Sequence, residues 1–566
     1  DFSPEEGLTR AAVRRVIEGE SAKDIRLRYA AAKKRAARLS GTDDAPAQEG
    51  WEAPKRGGLL NFKNAAPMAT GDVFKVSTMQ GVMSQLSDMY GDEGYAFTNV
   101  IPQTDTHPED GVVDIRFDIS KGEKMWIGQI DITGNDPTFD KVVRREIPLN
   151  EGDLYSTSKL NEARYRLNRL GFFETVNIST PAAGEPKSLD MKVDVVEKPT
   201  GSFSIGAGFS NLENFVFTAN VQKNNFLGLG YTLAAAANVS GKRQQGNFQI
   251  FDPYFLDTRF SLRMDAYSIS RQFIEDEYQR GGSFAIGRYL DARDDIRLEV
   301  IYTIEDTGLT SIDAYKSRLF GGQLYQNGLA SSGGLSFNVD KRNNRIQATK
   351  GVYSSLSGTL TGGWRADDER IVSVFGGEFN FYELKANFRG FYPLVKSEAL
   401  IFKYNGTLGH LGSTDGTIIP YIHRYRAGGI NSVRGYDWYS LGPSVRATGQ
   451  RQGDQSTYWI GSDDPTSVED RLVIGGTKTW INNFEIEAPI VRAAGISTVV
   501  FFDAGNAFGD IYGDGLIDPM GLRTAYGFGV RWFSPMGPLR FEWGFPINPR
   551  DDERNVVFDF SMGSLF

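Results

Sequence analysis

A chain of 566 residues with 40% hydrophobic content can form a large core or several folded units. Its formal charge of −9 argues against a nucleic-acid partner, and the absence of cysteine excludes disulfides, zinc thiolates and a thiol nucleophile. Stretches of about 18 apolar residues are missing, which argues against a membrane-spanning helix but not against a barrel, whose apolar residues alternate with polar ones. The chain opens on Asp1 without Met or an apolar leader, so it reads as a fragment or mature form, with export left open.

Residues 8–39 are rich in Ala, Arg and Lys and predict one or two polar helices. Residues 40–70 are polar, rich in Ala, Pro and Gly, and show no period. Two readings stand for residues 1–70: a flexible or poorly packed lead-in, or a basic helix lying on an anionic surface.

A small module then occurs twice. Gly71-Asp72-Val73-Phe74 opens a helical run ending near Tyr90, and VVDIRFDI (112–119) follows as a strand. Gly152-Asp153-Leu154-Tyr155 opens a second helical run, and LDMKVDVV (189–196) follows it. WIGQIDITGN (126–135) is a strand ending at a Gly-Asn turn, with a short helical VVRREI segment after it. The second copy, 123–199, therefore reads β-α-α-β-β, and the first, 71–122, is partial, its opening strand and helix lost or diverged. Leu160, Ala163, Leu167 and Leu170 share one helix face, and Gly171 ends that helix. Exposed sheet edges of such modules can accept a strand from an extended polypeptide, though a structural spacer is an equal reading.

From Gly201 a period of two takes over. Phe203, Ile205, Ala207 and Phe209 alternate with Ser and Gly; Tyr526, Phe528, Val530 and Trp532 alternate with Gly527, Gly529 and Arg531; Leu539, Phe541, Trp543 and Phe545 alternate with Arg540, Glu542 and Gly544. Sixteen such runs of about ten residues occupy 200–566, an even number, with aromatics such as Tyr254-Phe255 and Trp532-Phe533 at their ends. The expected fold is β-rich: a 16-stranded antiparallel transmembrane β-barrel behind the two modules.

One stretch breaks the alternation: RYRAGGINSVRGYDWYSLGP, 424–443. Glycines permit close backbone packing, and arginine offers a planar fork that seeks a carboxylate. The stretch is either a loop in water with a chance Arg-Gly pair, or part of a long loop, about 412–475, that folds back into the barrel and is held there by Arg434.

Several motifs together resemble the BamA family of outer-membrane barrel-assembly factors. IDITGN, VVRREIPLNEGDLY and RLNRLGFFETVNI resemble that family's last POTRA module. GSFSIGAGFS resembles its first barrel strand, and QKNNFLGLG and FDPYFL the turns that follow. SVRGYDWYSLGP resembles its sixth extracellular loop, and GVRWFSPMGPLRFEWGFPI its penultimate hairpin. The likeness spans about 71–566. It implies an inward loop anchored through Val433, Arg434, Gly435 and Tyr436, with Glu485 and Asp503 as carboxylate partners of the arginine. It also implies a lateral seam between first and last strands, drawn from Phe203, Gly206, Gly208, Phe558, Phe560, Gly563 and Phe566, and one that a crosslink near Gly206 and Phe560 would lock. Glycines on the first strand weaken that seam, and the C-terminal stretch ending in Phe566 marks the chain as a client of its own machinery. The family carries five modules ahead of its barrel, against one complete and one partial copy here.

The implied function is to fold and insert unfolded outer-membrane β-barrel clients, in contact with outer-membrane lipids and accessory lipoproteins, in a Gram-negative outer membrane with the modules in the periplasm. The alternative is a related translocation pore, TamA-like or of the two-partner secretion type. No enzyme, metal or cofactor is expected: the histidines are His107, His410 and His423, and no G-x-S-x-G accompanies them.

Overall fold

The computed structural model describes residues 25–30 and 73–562, apart from 292–293, 311–321, 346, 368–369, 396, 453–454, 460–467, 510–517, 519–520 and 535–536. It divides into two compact units. One holds residues 1–200 with 227–229, the other the remainder.

The first unit begins with β1 (Ile25–Ala30), α1 (Val76–Asp92), β2 (Asn99–His107) and β3 (Val112–Ser120). They form a three-stranded antiparallel sheet ordered β1-β3-β2, with α1 burying Val82, Leu86 and Tyr90 against Ile115 and Phe117. β1 corrects the helical reading of residues 8–39; the rest of that stretch lies outside the described residues. The local sequence IRLRYA alternates Ile25, Leu27 and Tyr29 with two arginines, a period of two that suits a sheet, and the free edge of β3 supplies backbone partners. An opening strand is thus present beside β3, but it runs antiparallel to it.

The second module is β4 (Trp126–Thr133), α2 (Asp140–Arg144), α3 (Thr157–Leu170), β5 (Phe173–Ser179) and β6 (Ser188–Glu197). Its sheet order is β4-β6-β5, with β4 parallel to β6. Leu160, Ala163 and Leu167 of α3 pack on Met191, Val193 and Val195 of β6. Ser156 caps α3, its Oγ accepting from the Lys159 amide at 3.3 Å, and Gly171 ends the helix with φ +70°.

Asp92 closes α1, where its charge opposes the helix dipole, yet it sits at the start of α3, where the same charge is favourable. Its Oδ1 accepts from Ser156 Oγ and the Ser158 amide, both at 2.8 Å, and its Oδ2 from Ser158 Oγ at 2.6 Å. One carboxylate thus bridges two modules and caps the second module's long helix.

The second unit opens with β7 (Gly201–Ser210), β8 (Asn214–Phe226), β9 (Tyr231–Ser240), β10 (Arg243–Asp252), β11 (Phe260–Gln272), β12 (Asp276–Tyr289), β13 (Ile296–Leu309), β14 (Gly328–Asp340) and β15 (Gly351–Thr361). After a small hairpin, β16 (Gly363–Asp367) with β17 (Arg370–Ser373), come β18 (Phe381–Pro393) and β19 (Ile401–Ser413). The loop beyond carries a separate three-stranded sheet of β20 (Ser444–Gln452), β21 (Gln455–Trp459) and β22 (Val468–Val473). The unit closes with β23 (Lys478–Val491), β24 (Ile496–Phe508), β25 (Arg523–Ser534), β26 (Gly537–Ile547) and β27 (Val557–Met562).

Sixteen of these strands, β7–β15, β18, β19 and β23–β27, form one closed antiparallel barrel. Alternation decides what faces where. On β13, Leu298, Val300, Tyr302 and Ile304 are exposed on the outer wall, while Glu299 between them is buried on the inner one. An apolar exterior over a charged interior suits lipid outside and polar groups within.

We expect Asp92→Ala to speed amide exchange at Ser158 and Lys159 several-fold, since a cap is worth about 1 kcal/mol. Exchange in β6 should stay unchanged, as read by hydrogen–deuterium exchange on the full chain.

Candidate functional site

The loop between β19 and β23 turns into the barrel and is tied to its wall by, among others, three polar side chains. Arg426 Nη2 donates to Glu277 on β12 at 2.7 Å, with its guanidinium over the Tyr421 ring at 4.2 Å. Tyr425 Oη donates to Glu383 on β18 at 2.6 Å. The third tie is Arg434, 2% exposed and so fully inside.

Arg434 grips Asp503 of β24 with two parallel bonds, Nε to Oδ2 at 2.7 Å and Nη2 to Oδ1 at 2.8 Å, and its backbone amide adds a third at 3.0 Å. Nη1 reaches Glu485 of β23 at 2.6 Å and Glu542 of β26 at 3.2 Å. The guanidinium lies over the Phe501 ring, 3.6 Å from its centre. A planar fork can satisfy all these partners at once; a lysine ammonium cannot.

Glu542 was not picked out by the sequence, nor were Arg531 and Arg540. Arg531 donates to both oxygens of Glu485 at 2.9 and 2.8 Å, to Glu487 at 3.1 Å and to Glu542 at 2.8 Å. Arg540 donates to Glu542 at 2.7 Å, and Lys403 to Glu487 at 2.7 Å. Arg434, Arg531, Arg540 and Lys403 thus meet Asp503, Glu485, Glu487 and Glu542 along five neighbouring strands, β19 and β23–β26. Register explains the arrangement. Arg531 and Arg540 stand directly opposite each other, an unfavourable pair unless carboxylates lie between them. The alternation of GVRWF and PLRFEW put these side chains on the polar face; only the register could bring them together.

The neighbours of Arg434 seat the turn. Val433 is buried against Gly505, where an added Cβ would lie 2.9 Å from its Cγ2. Gly435 has φ +86°, and a Cβ on Gly544 of β26 would lie 2.3 Å from the Gly435 nitrogen. Loop backbone therefore rests directly on strand backbone. Tyr436 is buried and donates to the Thr524 carbonyl at 2.9 Å. His423 is wedged beside Phe379 and Phe381, and burial pushes its imidazole down to about 4, so it stays neutral near pH 7 and packs as a ring. His410 meets the Tyr382 hydroxyl at 3.0 Å, and His107 lies near Asp105 and Asp114.

The seam residues divide. Phe203 is exposed on the outer wall, and Gly206 faces Thr218 of β8. Gly208 pairs with Val216 of β8. Phe558 stacks on Trp543 at 4.9 Å; Phe560 contacts Phe541 at 4.8 Å and, across the seam, Phe209 at 5.9 Å. Gly563 and Phe566 lie outside the described residues. Among the described residues, β27 and β7 share two register pairs, Ser561 with Ser210 and Met562 with Phe209. Phe560 therefore lies beside Asn211, not Gly206, which corrects the position of the expected lock.

Residues 225–566 match the model of the Omp85 superfamily domain, and residues 61–122 and 126–198 match the POTRA model, a surface antigen variable number repeat. The chain belongs to the Omp85 superfamily. This Omp85 chain is 28% identical over 87% of its length to the outer membrane protein assembly factor BamA of Nitratidesulfovibrio vulgaris, covering 58% of that protein. It is 27% identical over 91% of its length to the BamA of Neisseria meningitidis serogroup B, covering 65%. The chain thus spans about three-fifths of the length of these relatives. The crystal structure of BamA from Haemophilus ducreyi lacking POTRA domains 1–3 shares its fold, with TM-score 0.68 and 24% identity over 88% of this chain and 95% of the other.

Arg434→Ala strands Asp503, Glu485 and Glu542 without their shared cation, and we expect a loss of about 3–5 kcal/mol. Arg434→Lys keeps the charge but loses the fork, and should cost less. Gly544→Ala should displace the turn at Gly435 and lower stability with every charge intact. All three are read as shifts in the unfolding temperature of the purified protein, followed by gel mobility of folded and unfolded forms.

Proposed function

We propose that the chain is an assembly factor of the Gram-negative outer membrane, with its barrel in the membrane and its POTRA modules in the periplasm. It receives unfolded β-barrel clients and inserts them into the lipid, working with accessory lipoproteins and without covalent chemistry. The observation that carries this reading is the seam. β11 and β12 stay in register from Phe260 opposite Arg288 to Gln272 opposite Asp276, whereas β27 and β7 share only Ser561–Ser210 and Met562–Phe209 among the described residues. Among the described residues, β7 is paired along its length with β8 and meets β27 at Phe209 and Ser210. An unpaired strand edge is a template for another strand.

In this reading a client strand adds to β7, and the barrel parts at the place where least hydrogen bonding is lost. The module sheets supply earlier docking edges, β2 in the first and β5 in the second, each at the border of its sheet. The Arg434 network holds the C-terminal wall rigid while the seam moves, because its partners span β19 and β23–β26 and none lies on β7. The names of the BamA relatives support the same role over the part of their length that this chain spans.

The test is reconstitution in liposomes with an unfolded client barrel. A disulfide between Phe209→Cys and Met562→Cys, residues in register, should abolish client insertion, and reduction should restore it. Full insertion by the locked protein would overturn lateral opening. Strong ion conductance with no client insertion, locked or not, would favour a translocation pore instead.

A further inference from the structure

The register pairs at Ser561 and Met562 are not the seam's whole fastening. Beyond Ser210, β7 turns into β8 through residues 211–213, and this turn reaches across to β27. The Asn211 side chain donates from Nδ2 to the Phe558 carbonyl at 2.6 Å, and its backbone amide donates to the Phe560 carbonyl at 3.2 Å. One residue outside both strands thus takes two carbonyls of the closing strand, two residues apart on the same edge.

The turn is itself held from behind. The Glu213 amide donates to Ser210 Oγ at 3.1 Å. The Glu213 carboxylate, 3% exposed, pairs with Arg243 at the start of β10 at 3.0 Å. β8 and β9 lie between that arginine and the seam, so the tie fixes the turn to strands that do not open. Behind the turn is a cavity of about 440 Å³, walled by Glu213, Arg243, Arg271, Trp438 and Asp559 among others, so the turn has room to swing once released.

We propose that Asn211 is a latch that sets how often the seam opens at rest, with Glu213 and Arg243 holding it in place. Asn211 is a positioning residue: it acts by fixing β27. Its geometry suits reversible closure. The side-chain bond lies at the surface, where water competes for both partners, so its net worth is modest and thermal release is frequent. The Glu213 carboxylate is buried against a partly exposed Arg243, so the turn returns to the same place after release. The latch rests on the reading of the seam as the moving part.

The experiment is hydrogen–deuterium exchange on the full chain in lipid nanodiscs, without any client, so that its outcome is independent of insertion activity. When opening is fast and reversible, amide exchange scales with the opening equilibrium. Asn211→Ala should speed exchange in peptides covering 557–562 by about two- to tenfold, the factor for one hydrogen bond at ordinary net strength. Peptides of the β23–β24 hairpin should keep their wild-type rates. Glu213→Gln, which leaves Asn211 in place but loosens the turn, should speed the same seam peptides, and so serves if Asn211→Ala does not fold. Wild-type exchange at the seam in either folded variant, or acceleration spread evenly over the barrel, overturns the latch. If seam exchange rises as expected while a reconstituted client is not inserted by the wild type, the latch stands and the assembly role falls.

Discussion

The barrel depends on an ion network that no single strand could hold. Arg434 arrives on a loop and finds carboxylates on β23, β24 and β26, while Arg531, Arg540 and Lys403 complete the neutralisation. Placing so many charges inside a barrel is costly unless each one has a partner with good geometry. Here the shared partners make the arrangement cooperative: moving the loop outward would expose like charges to each other on the inner wall. The network therefore fixes both the loop and the mutual register of the C-terminal strands.

Stability is distributed unevenly around the ring as a result. The C-terminal wall is bound by ladders, by charge pairs inside and by aromatic stacking outside, such as Phe528 on Trp543 and Tyr526 on Phe545, each at 5.4 Å. Among the described residues, the junction of β27 with β7 has a short ladder, one ring contact and the turn at Asn211. A closed sheet with one poorly fastened joint yields there first, and the strength of the rest keeps the yielding local.

Much of this was legible in the chain. Period-two alternation marked the barrel strands because the pleat sends successive side chains to opposite faces, and the helix of the second module announced itself through Leu160, Ala163, Leu167 and a terminal Gly171. Arg434, Glu485 and Asp503 were nameable from motifs, and the structure brings all three together. What stayed hidden depends on register and on distant approach. Glu542 and Arg531 look like ordinary inner-face charges until strand pairing sets them beside Glu485. Asn211 looks like a turn residue until β27 arrives from the far end of the chain. Alanine and arginine content hides β1, whose short alternation matters only once β3 offers an edge.

The contact of Gly435 with Gly544 has a bearing on how such a chain can change. Two backbones touch there, at positions far apart in sequence, with no room for a methyl group on β26. Drift at either site is then not independent. A larger residue at one would survive only alongside a compensating shift of the opposing segment, so the pair should move through evolutionary time as a single unit, and divergent relatives that have lost one glycine should show a remodelled loop.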